Sequence, residues 1–335
     1  MLLQLARLAA AFCALCSCHA ILPLEAHAPG DSRPEQQPGG DLAGMDLLGD
    51  VGADRHVDLR RDAGHVQGTW VSVHHAVFTI GATDSDPCKL PNEEQHLVTL
   101  TRDFEIQTTE VKQGQFQALM GYAPTPNSMC GSSCPVENVT WHEAAAYCNA
   151  LSRQVGKPEC YACSSTSTGD AVKCEEAPAH AGAKVYDCTG YRLPTEAEWE
   201  FACRAGTQTP YYSGANDAKL CADCDKKDPN ADNIGWYCAN SGGTLHPVAQ
   251  KQPNPWGIYD MGGNVWEWCH DWWLGPLGSA AVTDPWGPPT GTTRAMRGGS
   301  FFQMAYNIRS TSRSNKPPDE GGSDVGFRCL RTLTP

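Results

Sequence analysis

Seventeen cysteines in 335 residues constrain this chain more than any other feature. That density belongs to an oxidising compartment, where thiols pair, or to a protein that binds metals. The N-terminus points to export. Arg7 gives a weak positive start, and Leu8 to Leu15 is apolar but too short to cross a bilayer. Leu15-Cys16-Ser17-Cys18 reads like a lipobox, with residues 1–18 as an export signal and Cys18 as the lipidated residue of an envelope lipoprotein. The competing reading is cleavage after Ala20, because Cys18-His19-Ala20 is roughly small-x-small, and it gives a secreted protein. Setting aside Cys13, Cys16 and Cys18 leaves fourteen cysteines (17 − 3), an even number that suits a disulfide framework.

Residues 19–67 read as a flexible linker, with Pro29 to Pro34 and Gln36 to Gly40 poor in apolar periodicity. The folded domain is expected over 68–333. Trp70 to Val73, Ala76 to Gly81 and Gln95 to Arg102 carry strand patterns. Two capping boxes announce helices. Thr140 and Glu143 start one over Trp141 to Leu151; Thr195 and Glu198 start another over Glu196 to Cys203, with Gly206 placed to stop it. Beyond Gly206 the chain is rich in Gly, Asn, Asp and Pro, which predicts few regular elements and many ordered loops. The class expected is loop-rich α+β. The charge balance, 25 − 38 = −13, repels a phosphate backbone and argues against nucleic-acid binding. No segment after the N-terminus is apolar enough to cross a membrane, so contact with one runs only through a lipid anchor.

Cys160-x-x-Cys163 and Cys221-x-x-Cys224 have the spacing of two halves of a zinc site. Cys174 and Cys188 lie beside the first pair, and an oxidising compartment favours disulfides: Cys163–Cys174 nested inside Cys160–Cys188, and Cys130–Cys134 as a tight loop. Asp223, Asp225, Asp228 and Asp232 lack the central Gly and final Glu of an EF-hand and read as a solvated acidic loop. The eleven histidines are scattered, with His74-His75 the only adjacent pair.

Several segments, taken in order, carry a resemblance: Phe78-Thr79-Ile80-Gly81, Pro135 to Trp141, Tyr191 to Glu200, Gly257 to Cys269, Arg297-Gly298-Gly299-Ser300 and Gly326-Phe327-Arg328-Cys329. Together they resemble the formylglycine-generating-enzyme (sulfatase-modifying-factor) family, which implies a C-type-lectin-like fold. The resemblance also implies a disulfide Cys148–Cys329. It places the usual partner of Cys203 near Ser310, where no cysteine stands, which leaves Cys269 as a candidate.

Family enzymes that make formylglycine carry two redox cysteines soon after Arg-Gly-Gly-Ser, and these bind copper(I) as soft ligands should. Here Arg297 to Arg313 contains no cysteine, and Gln303 stands where the first would be. The resemblance further implies structural calcium, a cation that takes six to eight hard oxygens. Asp260 and Glu267 would supply carboxylates to one site, Gly263 and Val265 carbonyls; Asn233 and Ile234 would belong to a second. A groove lined by Trp266, Ser300, Gln303 and Asp324 would bind a peptide or glycan. The reading is an exported, non-catalytic or altered-function binding domain. The alternatives are a metal-dependent oxidoreductase or protein-maturation factor of the broader family, and a structural component of an envelope complex.

Overall fold

The computed structural model describes residues 68–125, 130–164 and 171–334. The export signal, Cys18 and the linker 19–67 lie outside the described residues.

Three sheets and a hairpin account for the strands. The first is antiparallel and joins the two ends of the domain: β1 (Trp70–Val73) pairs with β4 (Phe104–Gln107), β4 with β13 (Leu330–Thr332), and β13 with β7 (Tyr191–Arg192). The second has the order β11 (Arg313–Lys316), β10 (Arg294–Arg297), β8 (Trp266–Trp272), β12 (Val325–Gly326), with β12 parallel to β8. In the third, β3 (His96–Leu100) lies between β2 (Ala76–Ile80) and β9 (Val282–Thr283). β5 (Tyr161–Cys163) and β6 (Cys174–Glu176) form the hairpin. β2 and β3 alternate buried with more exposed positions, for instance Phe78 and Val98 in, Val77 and Leu97 out, as their sequence pattern requires.

Both capping boxes form. In α2 (Trp141–Gln154) Thr140 Oγ1 accepts from the Glu143 N–H, and Glu143 Oε2 accepts from the Thr140 N–H at 2.9 Å. The same exchange links Thr195 and Glu198 at the start of α3 (Glu196–Arg204), a helix whose residues are all buried. α3 ends at Ala205, φ 46°, rather than at Gly206; both residues are left-handed, and the Ala205 N–H bonds to the Phe201 carbonyl. Two further helices are α1 (Gln113–Met120) and the short α4 (Pro229–Ile234), which Asp228 caps by accepting from the Asn230 and Ala231 N–H groups. Asp228 is 2% exposed, so it is a buried cap and not part of a solvated acidic loop.

The disulfides among the described residues are Cys88–Cys221, Cys130–Cys134, Cys160–Cys188, Cys163–Cys174 and Cys224–Cys238. The two Cys-x-x-Cys pairs therefore do not converge on a zinc ion; each of their four sulfurs is bonded elsewhere. Cys148 and Cys329, paired in the reading from resemblance, are buried thiols with sulfurs 3.3 Å apart. That is close contact but well beyond a bond of about 2.05 Å, within one buried cluster. Nor is Cys203 joined to Cys269: their sulfurs face the carbonyls of Met261 and Glu267.

Buried ion pairs tie the sheets to the helices. Arg192 grips Glu198 with two bonds of 2.7 Å. Arg297 reaches Glu200 at 2.6 Å and Glu196 at 3.0 Å, and Arg309 holds Asp86 and Glu93. No helix among the described residues is long and apolar enough to cross a membrane.

Candidate functional site

The candidate groove is built from the ends of three segments. Trp266 opens β8. Ser300 follows the tight Gly298-Gly299 turn after β10, where both glycines have positive φ; a Cβ on Gly299 would sit 2.6 Å from the Asn307 carbonyl oxygen, so the turn admits no side chain. Asp324 precedes β12. The Ser300 hydroxyl donates to Asp324 Oδ2 at 2.7 Å, and the Trp266 N–H donates to the Asp324 carbonyl at 2.8 Å. Gln303 closes the turn by donating its N–H to the Ser300 carbonyl at 3.0 Å, and its own carbonyl accepts from Cys238. Ser300 and Trp266 are buried, while Asp324 and Gln303 are half-buried. On either side of Gln303, Phe302 is 52% and Met304 37% exposed, so along the chain the amide is flanked by two solvent-facing apolar side chains.

None of these four residues brings a thiol to the candidate site. The free cysteines among the described residues are all buried. Burial pushes the Cys203 thiol up to about 12 and those of Cys269 and Cys329 well above their ordinary value, so these three are protonated at neutral pH.

The residues read as calcium ligands divide. Asp260 sits in the left-handed region, φ 54°, and is 1% exposed. Its Oδ2 accepts from the Ala249 N–H at 2.6 Å, but its Oδ1 has no partner, and burial pushes the carboxyl up to about 6. A second buried carboxylate, Glu110, accepts from Asn264 Nδ2 at 3.2 Å and the Val265 N–H at 3.4 Å. Burial, then repulsion from Asp260 and Glu267, raises Glu110 well above the usual range. Glu267 itself is engaged: Arg328 bonds both of its oxygens at 2.7 Å, and Trp199 Nε1 donates to Oε2 at 2.9 Å. Gly263 is required for contact, since a Cβ there would lie 2.2 Å from the Trp236 carbonyl oxygen. Three buried carboxylates thus face one guanidinium, and Asp260 Oδ1 is left as an orphaned acceptor. An orphaned, buried carboxylate oxygen of this kind is a group that a divalent cation would satisfy.

The second set does not gather free oxygens. The Asn233 carbonyl accepts from Gln252 at 2.9 Å, and the Ile234 carbonyl from the Tyr212 hydroxyl at 3.4 Å. The Lys251 ammonium donates to the neighbouring Asp232 carbonyl at 2.5 Å, so a cationic side chain already occupies that helix end. Among the described residues, no three His, Cys, Asp or Glu side chains stand close enough to hold a metal by themselves. Glu110 is the participant that sequence reasoning missed. Nothing in Thr109-Glu110-Val111 marks it, because only the fold brings it beside Asn264 and Val265.

A model of the sulfatase-modifying factor enzyme 1-like domain matches residues 58–333. The chain belongs to this sulfatase-modifying-factor family. Within it, the chain is 33% identical to the Paenibacillus barcinonensis chaperone protein LppX, over 70% of this chain and 82% of that one. It is 38% identical to the bovine formylglycine-generating enzyme over 44% of this chain and 41% of the enzyme, so it spans under half of that relative's length. Among solved structures, Treponema denticola variable protein 1 superposes with a TM-score of 0.67 at 31% identity, over 79% of this chain and 95% of that one. PvdO from Pseudomonas aeruginosa, at 24% identity and a TM-score of 0.63, shares the fold. The family fold is a loop-rich mixture of helix and sheet, as it is here.

Proposed function

We propose that this chain is a binding member of the sulfatase-modifying-factor family that holds an extended peptide in the Trp266–Ser300–Gln303–Asp324 groove and does not oxidise it. Gln303 carries this reading. It stands at the position of the first redox cysteine, and an amide oxygen is a hard ligand that cannot replace a thiolate on copper(I). What remains is a recognition surface: the Gln303 amide and Asp324 carboxylate for a peptide backbone, with Phe302 and Met304 for apolar side chains. The relative named a chaperone supports a protein ligand over a glycan.

The test incubates copper-loaded protein with a cysteine peptide of the sulfatase type and follows both mass and fluorescence anisotropy. The expected result is binding without aldehyde, weakened at least tenfold by Asp324→Ala. Aldehyde in the mass spectrum restores the oxidoreductase alternative, and an unchanged anisotropy removes the groove.

Calcium is the structural cofactor in this proposal, with Asp260 as its carboxylate. Chelation should lower the melting temperature, and Asp260→Ala should abolish that dependence. For a site loaded at 100 times its dissociation constant the loss is about 2.7 kcal/mol, or roughly 5–10 °C for a domain of this size. A melt indifferent to chelator sinks the site.

Five disulfides among the described residues support folding in an oxidising compartment. We place it at the cell envelope, tethered through Cys18. In a bacterial host the full chain should fractionate with membranes and Cys18→Ala should not; a soluble wild type favours cleavage after Ala20.

A further inference from the structure

At the far end of β8 from the groove lies an open cleft of about 610 Å³, lined among others by His142, Lys173, Glu176, Trp272, Arg294 and Asp319. Six residue steps separate Trp266 from Trp272, about 20 Å along a strand. The two sites are distinct.

Arg294 is the unusual group. Seven arginines are buried among the described residues: Arg192, Arg204, Arg294, Arg297, Arg309, Arg313 and Arg328. Six of them meet a carboxylate in an ion pair. Arg294 meets none. Its guanidinium is sandwiched between Trp141 and Trp272, at 3.9 and 3.6 Å from the ring centroids. Nη1 donates to the His270 carbonyl at 2.5 Å, and Nε has no partner. A guanidinium that is 3% exposed, feels Glu176 and Asp271 only through space and makes no direct ion pair carries a desolvation cost that a bonded anion would offset.

Three carboxylates line the cleft, Glu175, Glu176 and Asp319, and none of them bonds Arg294. Asp319 is held by Lys173 and by His142 Nε2, and Glu176 faces His270. Burial lowers Arg294 to about 10, which leaves it charged at neutral pH. The cleft is of the size that takes a small molecule. Its walls pair one forked donor set with an aromatic ring and two prolines, Pro289 and Pro318.

We propose that this cleft binds a small organic carboxylate, the acid on Arg294 and its ring or chain against Trp272. A planar guanidinium whose Nε–H is unsatisfied is suited to a carboxylate, which can take two of its N–H groups at once. A sugar acid and a short-chain acid share this chemistry, so both are probed.

The experiment titrates the full domain with D-glucuronate and with glutarate, and with the uncharged D-glucose and glutaramide. It follows the Arg294 Nε–H resonance by NMR, assigned by its loss in Arg294→Lys. Either acid should shift that resonance, and the tighter of the two tells which source the site prefers. The neutral counterparts should bind at least tenfold more weakly. Thr290 is exposed at the rim, so Thr290→Trp should plug the cleft and abolish binding without disturbing the core. Arg294→Lys, which keeps the charge and loses the fork, should weaken it at least tenfold. An unmoved resonance at saturating acid, neutral analogues that bind as well as the acids, or full affinity in Thr290→Trp overturns the proposal. Should Arg294→Lys fail to fold, calorimetric titration of the wild type and of Thr290→Trp with the same four compounds, which needs no assignment, still decides it.

Discussion

Replacing Cys88 and Cys221 together by serine is expected to remove about 4–5 kcal/mol of stability in the chain-entropy model, because the bond closes a loop 133 residues long. The effect is large because of where the bond sits. Cys88 lies in the loop that also carries Asp86 and Glu93, the two carboxylates that hold Arg309, and Cys221 anchors the loop-rich stretch after α3. Freed of the bond, that stretch regains its conformational entropy in the unfolded state. Urea unfolding of the double variant reads the change directly. A midpoint shifted by less than that produced by removing the short Cys130–Cys134 loop, four residues in separation, would contradict the entropic account.

Glu267→Ala is expected to cost about 3–5 kcal/mol, the usual consequence of stranding one partner of a buried pair. Arg328 is fully buried, and Glu267 is its carboxylate partner at 2.7 Å. The same substitution would leave Trp199 Nε1 unsatisfied. This loss is independent of calcium, which separates it from the Asp260→Ala result. The double variant Glu267→Met with Arg328→Met should recover part of the loss, since two apolar side chains leave no uncompensated charge. Chemical denaturation of Glu267→Met, Arg328→Met and the double variant forms the cycle. A double variant less stable than the sum of the singles would show that the pair does not act as a unit.

Much of the domain was legible before any coordinates. The boxes at Thr140 and Thr195 mark their helices because a capping box is a local exchange of two hydrogen bonds, complete within four residues. The alternation in β2 and β3 is equally local. β8 was not read as a strand, although it runs for seven residues. It is buried on both faces, so its sequence, Trp-Glu-Trp-Cys-His-Asp-Trp, lacks the two-residue period that reveals a half-buried strand. The pairs that span long stretches of chain, Cys88 with Cys221 and Arg309 with Asp86 and Glu93, leave no mark in either segment alone.

The sequence by itself determined the family, through motifs in a set order, and the absence of a cysteine between Arg297 and Arg313, which is a matter of composition. It also brought Trp266, Ser300 and Asp324 under suspicion. Only the tertiary structure decided how those residues meet, that Glu267 is engaged by Arg328, that Glu110 stands beside Asp260, and that Cys148 and Cys329 remain thiols. The physical reason is common to all four. Whether a buried charge or thiol is free depends on what packs within about 4 Å of it, and here those neighbours come from segments that are distant in sequence. The same holds for Arg294. In the sequence it is one arginine among several; in the fold it is the buried arginine, among the described residues, that makes no direct ion pair.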